Sequence, residues 1–358
     1  MLFGRNFKSF ENSTAIDPGC VTIKRFPNGW WAVAFSEEVK PGQVLRTRLA
    51  GRDLVIYRTL SGAVSAIEPY CPHLGTHLGY GGKVEGENIV CPAHRFAFNL
   101  KGDCVKNMYG SLPARTTTTK VLPTVEVNGF IFVWRHAELR DPTWEIPEIG
   151  DDSPALGSFT IRLSDHPQEV IENIVDWGHF LPLHGYEVTG MSEGEDAIQY
   201  SEFKLMATLD SVKHLPFSRS LRFTLRHTNY GVGCFSFDTI DIAYPLLRAR
   251  LSLRIALTPE ELRTTIWRAR AGLHILPESS RVSYRFLGTL LSRALYRPAI
   301  ALMLRNLKSD GPIWGHKSYL ERPGLAKGDG PIGPYRKWVK RFYSIGPSED
   351  LPRSLASV

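Results

Sequence analysis

The stretch CPHLGTHLGYGGKVEGENIVCPAHRF, residues 71 to 96, limits what this chain can be more than any other. It sets Cys71 and His73 two positions apart and, after a gap of 17 residues, Cys91 and His94 three apart. Each clip is short enough for both of its side chains to reach one metal region. Four such ligands can hold a single zinc. They can also hold a [2Fe–2S] cluster whose cysteines take one iron and whose histidines take the other. Here each clip carries one Cys and one His, as the split cluster requires, whereas a zinc finger more often pairs like with like. Gly75, Gly79, Gly81 and Gly82 leave backbone N–H groups room to approach cluster sulfurs.

Such clips need a small β-frame, and residues 27 to 135 read as one. GWWAVAFS, VLRTRLAG, DLVIYRT and AVSAIEPY are short strands between Pro-Gly and Ser-Gly turns. VEVNGFIFVWRH closes this half, with Asn128-Gly129 as a turn. RDPTWEIPEIGDDSPALGS is rich in Pro, Asp and Gly and marks a boundary. HPQEVIENIVDWGHF then reads as a helix, with Pro167 in its first turn and Pro182 ending it. Residues 200 to 290 hold long strands, 281 to 309 a helical region, and PYRKWVKRFYSIG a basic aromatic helix. The expected division is an arm (1–26), an all-β [2Fe–2S] domain (27–150) and an α+β domain (151–358) built on an antiparallel sheet of helix-grip type.

A second histidine stretch, ENIVDWGHFLPLHGY, holds Asp176, His179 and His184. Asp176 and His179 are i, i+3 and share a helix face. Two imidazoles and one distant carboxylate make the facial triad of non-haem Fe(II) oxygenases, which leaves positions open for O₂. Alone, the stretch is weak evidence; after a [2Fe–2S] clip it becomes strong.

With both motifs in place, the sequence resembles the terminal oxygenase component of the Rieske non-haem iron oxygenases, over almost its whole length. Asn173, Asp176, His179 and His184 match that family's Asn/Glu-x-x-Asp-x-x-His-x₄-His motif. The resemblance implies a carboxylate ligand far downstream, and Asp310 in LKSDGPIWGHKSYLERPGL fits it best; Asp238, Asp241 and Glu172 are rivals. RFPNGWWAVAF and GDGPIGPYRKWVKRFY look like the branch of bacterial 3-ketosteroid 9α-hydroxylase and animal cholesterol 7-desaturases.

The resemblance implies a Rieske [2Fe–2S] cluster on Cys71, His73, Cys91 and His94, and a mononuclear Fe(II) on His179, His184 and Asp310. Asp176 becomes the bridge, accepting a hydrogen bond from His94 of a neighbouring subunit in a head-to-tail homotrimer and orienting His179. Electrons come from a ferredoxin, a ferredoxin reductase or both, with NAD(P)H acting only through the reductase. The implied reaction is hydroxylation or desaturation, with O₂, of a medium-to-large apolar substrate, either steroid-like or a bacterial secondary-metabolite intermediate. Val188, Met191, Phe223, Phe235 and Phe237 are candidate pocket walls. The competing readings are an electron-transfer Rieske protein without the mononuclear iron, and a zinc-stabilised binding protein.

Two departures from the branch stand out. The second clip continues His94-Arg95-Phe96-Ala97-Phe98 where His-Gly-Trp-x-Phe is usual, placing a bulky cation beside the cluster. Pro182 lies between the two histidines. His77 is out of register for ligation. His136, His166, His214, His227, His274 and His316 show no ligand spacing, and Trp314 and Lys317 read as support.

Charge and cysteine content set the remaining expectations. Five cysteines are too few for a disulfide scaffold and suit a reducing, cytoplasmic setting. No run approaches the roughly 18 apolar residues of a spanning helix. Net charge is +7, and residues 293 to 341 carry eleven Lys/Arg against three Asp/Glu. That basic face suits an acidic ferredoxin; no nucleic-acid or dinucleotide motif is present.

Overall fold

The computed structural model describes residues 10–12, 19–111, 117–150, 153, 155–191, 198–215, 219–244, 247–276 and 282–344. The chain divides into two compact units. One is built on Asn28–Glu148 and takes in Thr258–Glu261; the other is built on Ile149–Leu257 and Leu262–Tyr343.

Three small antiparallel sheets form the first unit. Gly29–Phe35 is buried at every position and pairs with Phe130–Arg135. Such a fully apolar strand needs cover on both faces. Asn128 and Gly129 take φ of 55° and 79°, the pair of left-handed residues that a two-residue hairpin turn demands. A second sheet runs Val121–Leu122, Val64–Ile67, Arg52–Arg58, Val44–Leu49. The third is made of Lys83–Glu85, Asn88–Val90, Ala97–Phe98 and Cys104–Lys106. Val55, Tyr57, Ile67, Leu78, Ile89 and Phe98 form one apolar core that encloses Cys71 and Cys91.

The second unit is a nine-stranded sheet. From Lys204–Leu215 through Arg219–Tyr230, Cys234–Tyr244 and Leu247–Glu261 to Thr264–Leu276, consecutive strands are neighbours. Ala155–Leu163 extends it beyond Thr264–Leu276. Phe10–Asn12 then pairs in parallel with Ile161–Leu163, so part of the expected arm is a strand.

Helix α1, Pro167–Val175, buries Val170, Ile171 and Val175. Pro167 sits at its first position, where the missing N–H costs nothing. His166 caps it, its Nδ1 accepting from the Gln168 N–H at 3.2 Å. Its Nε2 therefore carries the proton and donates to the Arg25 carbonyl at 2.9 Å. Helix α2, Val282–His316, is longer than the expected helical region and includes Asp310. Its face Ser292, Tyr296, Ile300, Leu304 recurs every four residues and is buried. Ser292 Oγ accepts the Ile275 N–H at 2.8 Å, tying α2 to the sheet. Helix α3, Ile332–Val339, buries Ile332, Tyr335 and Trp338. Tyr335 Oη donates to the Gln168 carbonyl at 2.7 Å, docking α3 on α1.

Candidate metal centres

The two clips fold as matched loops. The Cys71 N–H donates to the Thr76 carbonyl, and the Gly75 N–H to the Cys71 carbonyl, both at 2.9 Å. The Cys91 N–H donates to the Phe96 carbonyl at 2.8 Å, and the Arg95 N–H to the Cys91 carbonyl at 3.1 Å. Gly75 and Arg95 thus hold equivalent places, with φ of 75° and 54°. This turn requires the left-handed region, which favours glycine; Arg95 occupies it despite its side chain. The loops bring the His73 and His94 rings to 4.8 Å between centroids. Cys71 and Cys91 are almost fully buried beneath them.

This donor set fits an iron–sulfur cluster. His73 Nδ1 is buried without a hydrogen-bond partner, a costly state for a ring nitrogen unless it ligates something. Burial pushes the Cys71 thiol up to about 11, and the adjacent Cys91 thiol adds to this against N–H donors from His73 and Leu74. Two buried thiols ionise together only when cations neutralise them, as two irons would. His77 serves the loop instead: its Nδ1 accepts the Gly79 N–H at 3.1 Å.

The second centre is built where α1 ends. Asp176 caps α1 with ψ of 87°, which breaks the helix. A 3₁₀ turn over Trp177–His179 and a wider π-turn over Phe180–His184 follow, closed by Gly185 at φ 68°. Pro182 therefore sits inside the wide turn, and Gly185 stops it. Widened turns of this kind mark functional sites. The turn swings His184 beside His179, with ring centroids 5.1 Å apart.

Asp310 reaches the pair from α2, its Oδ1 3.3 Å from His184 Nε2. One ligand atom from each of His179, His184 and Asp310 lies within 4.8 Å of the others, the spacing a single ion needs. His184 and Asp310 are almost fully buried, and His179 Nε2 is buried without a partner. An orphaned ring nitrogen facing a buried carboxylate fits a cation. Burial lowers the His179 pKa, keeping the imidazole in the neutral form that ligates.

The supports differ from expectation. The Asp176 backbone carbonyl, not its carboxylate, accepts from His179 Nδ1, at 2.5 Å. The carboxylate stands 3.7 Å from that nitrogen and is 36% exposed, which leaves it able to accept from another molecule. Ser309 Oγ lies 3.2 Å from His184 Nδ1, and Lys213 Nζ donates to the His184 carbonyl at 3.0 Å. Sequence reading missed both. Ser309 had a signal in its place beside Asp310; Lys213 had none, because only the strand pairing Glu187↔Val212 brings it near.

Of the rival ligands, Glu172 is engaged elsewhere, bidentate to Arg336 at 2.6 and 2.8 Å. The side chains of Asp238, Asp241, Met191, Phe235 and Phe237 lie outside the described residues. Phe223 packs its ring on Tyr186 at 5.0 Å, and Val188 pairs with Ser211 in the sheet. Trp314 is buried, and Lys317 Nζ lies 3.2 Å from Glu169 and 3.7 Å from Glu172.

Comparison with known proteins bears on both centres. The Rieske [2Fe-2S] domain family matches residues 29–116, and the 3-ketosteroid 9alpha-hydroxylase C-terminal domain family matches residues 133–343. Cholesterol 7-desaturase nvd 1 of Ciona intestinalis is 30% identical over 352 residues, 92% of this chain and 70% of that protein. The oxygenase component of 3-ketosteroid-9-alpha-monooxygenase of Rhodococcus rhodochrous is 26% identical, over 92% of this chain and 86% of that one. In fold, the chain is similar to apo dicamba monooxygenase, at a TM-score of 0.63 and 19% identity, over 89% of this chain and 98% of that one. A Rieske domain followed by a catalytic domain of this type makes the chain a member of the Rieske non-haem iron oxygenases, in the 3-ketosteroid 9α-hydroxylase branch, an enzyme of [2Fe–2S] and mononuclear iron cofactors.

Proposed function

We propose that this enzyme is the terminal oxygenase of an electron-transfer system and hydroxylates or desaturates a steroid-like substrate, with the iron held by His179, His184 and Asp310. The observation that carries this is the buried constellation of those three side chains with an unpartnered Nε2 on His179. Cys71, His73, Cys91 and His94 hold the cluster. The steroid-like class rests on the relatives, named for 3-ketosteroid and cholesterol chemistry, which align with 92% of the chain.

Bound at these centres, the cofactors supply O₂ activation at the mononuclear site and single electrons from the cluster. The protein's residues do the rest. The Asp176 carbonyl and Ser309 hold the far nitrogens of His179 and His184, fixing both rings with Nε2 turned toward Asp310. Three protein ligands leave coordination positions open. The half-exposed Asp176 carboxylate accepts a hydrogen bond from His94 of the partner subunit in a head-to-tail trimer, a short polar path between centres. A ferredoxin, a reductase or both deliver the electrons.

The test is electron paramagnetic resonance of the reduced protein with nitric oxide, a stand-in for O₂, with and without a 3-ketosteroid. The expected result is an iron–nitrosyl signal that the steroid reshapes. A fully iron-loaded protein with no such signal would remove the mononuclear site. A signal indifferent to the steroid would remove the substrate class and keep the site.

A further inference from the structure

Helix α2 does more than carry Asp310. Its buried face is accounted for by the sheet, but its outer face is not polar. Phe286, Leu287, Leu290, Leu291, Leu295 and Leu302 are between 37% and 66% exposed. Leu287, Leu291, Leu295 and Leu302 follow one another at spacings of four, four and seven, which aligns them as a stripe along the helix. From residue 287 to 302 this stripe runs about 23 Å at 1.5 Å per residue. A helix that is apolar on both faces is normally buried all round, and among the described residues nothing covers this outer stretch of α2.

The charges say what covers it. No Asp or Glu occurs between 282 and 309, while Arg285, Arg293, Arg297, Arg305 and Lys308 do. Arg293 and Arg297 are exposed and continue the line of Phe286 and Leu290, while Arg305, three residues beyond Leu302, borders the leucine stripe. Arg297 and Arg305 meet no carboxylate within ion-pair distance among the described residues. A second copy docked through this same face would set Arg297 and Arg305 against their own counterparts. An anionic bilayer surface brings the opposite charge and an apolar layer beneath it. Leucines then enter the headgroup boundary while arginine stems reach up to the lipid phosphates. Among the described residues no helix is long and apolar enough to cross a membrane, so α2 would lie on the surface.

We infer that the outer face of α2 docks the enzyme on an anionic lipid surface. Its claim is independent of which substrate the iron site takes. The test is co-sedimentation of the full-length, metal-loaded enzyme with vesicles of phosphatidylcholine alone and of phosphatidylcholine with phosphatidylglycerol. Binding is expected to the mixed vesicles only, and to fall with added salt. Replacing Leu287→Glu and Leu291→Glu together lowers partitioning by roughly a hundredfold, from two leucine side chains. Replacing Arg297→Gln and Arg305→Gln lowers it by roughly tenfold or more at unchanged fold. Absence of binding to either vesicle overturns the inference, as does equal binding to both. It is equally overturned if the leucine variant dissociates the oligomer while wild-type enzyme ignores lipid, because the face then belongs to a second copy.

Discussion

Arg95 shows how one residue can be both conspicuous in sequence and explained only by coordinates. It holds the place in the second loop that Gly75 holds in the first, at φ 54°. A side chain in that region costs about 1 kcal/mol, which Arg95→Gly would remove. What the arginine provides is charge: its Nη2 lies 2.8 and 2.9 Å from the two Glu85 oxygens, in an exposed pair one residue from His94. Loss of a cation beside the cluster disfavours the added electron. Arg95→Gly should therefore keep or slightly raise the thermal midpoint and lower the cluster's reduction potential in a redox titration. An unchanged potential would mean that Glu85 already cancels the arginine's charge. Both clips could be picked out in sequence because C-x-H and C-x-x-H are local patterns, and the structure brings their histidine rings to 4.8 Å. The role of the Asp176 carbonyl was not legible, because sequence reading assigns chemistry to side chains and the helix break at Asp176 put a backbone oxygen there instead.

At the scale of elements, α1 was legible because Pro167 and the apolar spacing of Val170, Ile171 and Val175 mark its start and its face. Its stop was misplaced. Pro182 suggested it, but the chain leaves helical geometry at Asp176 and Gly185 closes the turn. In α2 the reverse happened, since Pro298 and Pro312 lie within the helix. Ala294, whose carbonyl loses its donor at Pro298, is on the exposed side, where solvent has access to it. The cap of α1 carries a pH dependence. His166 is fully buried, and burial pushes its pKa down to about 4. An unfolded histidine titrates near 6.5. Between those values the unfolded chain binds a proton that the native state does not, so stability is full above about pH 6.5 and is lost as pH falls toward 4, by at most roughly 3 kcal/mol. His166→Asn keeps an acceptor for the Gln168 N–H and deletes the titration. Its thermal midpoint should fall less between pH 7 and pH 5 than that of the wild type. His227, also pushed down to about 4, titrates alike in both proteins and cancels. Equal slopes would show that His166 is not the group responsible.

For the whole molecule, the β-rich first half and the long antiparallel strands after residue 200 could be read because alternation and turn residues are strong there. The strand Phe10–Asn12 could not: three residues carry no period, and the partner Ile161–Leu163 is distant in sequence. Assembly is likewise beyond local pattern, and in the proposed trimer it would set how the two centres communicate. If electrons pass only from the cluster of one subunit to the iron of the next, two separately dead enzymes should rescue each other. Cys71→Ser removes a proposed cluster ligand and Asp310→Ala a proposed iron ligand; each alone should be inactive, with the other centre still loaded by metal analysis. Co-expressed in equal amounts, they form mixed rings in three-quarters of a random trimer population, and each mixed ring contains one productive junction of three, giving roughly a quarter of wild-type turnover. Transfer within a single chain instead predicts no recovery, because no chain then holds both centres. Mixed assemblies that form and stay inactive would confine the path to one subunit and remove the bridging role of Asp176.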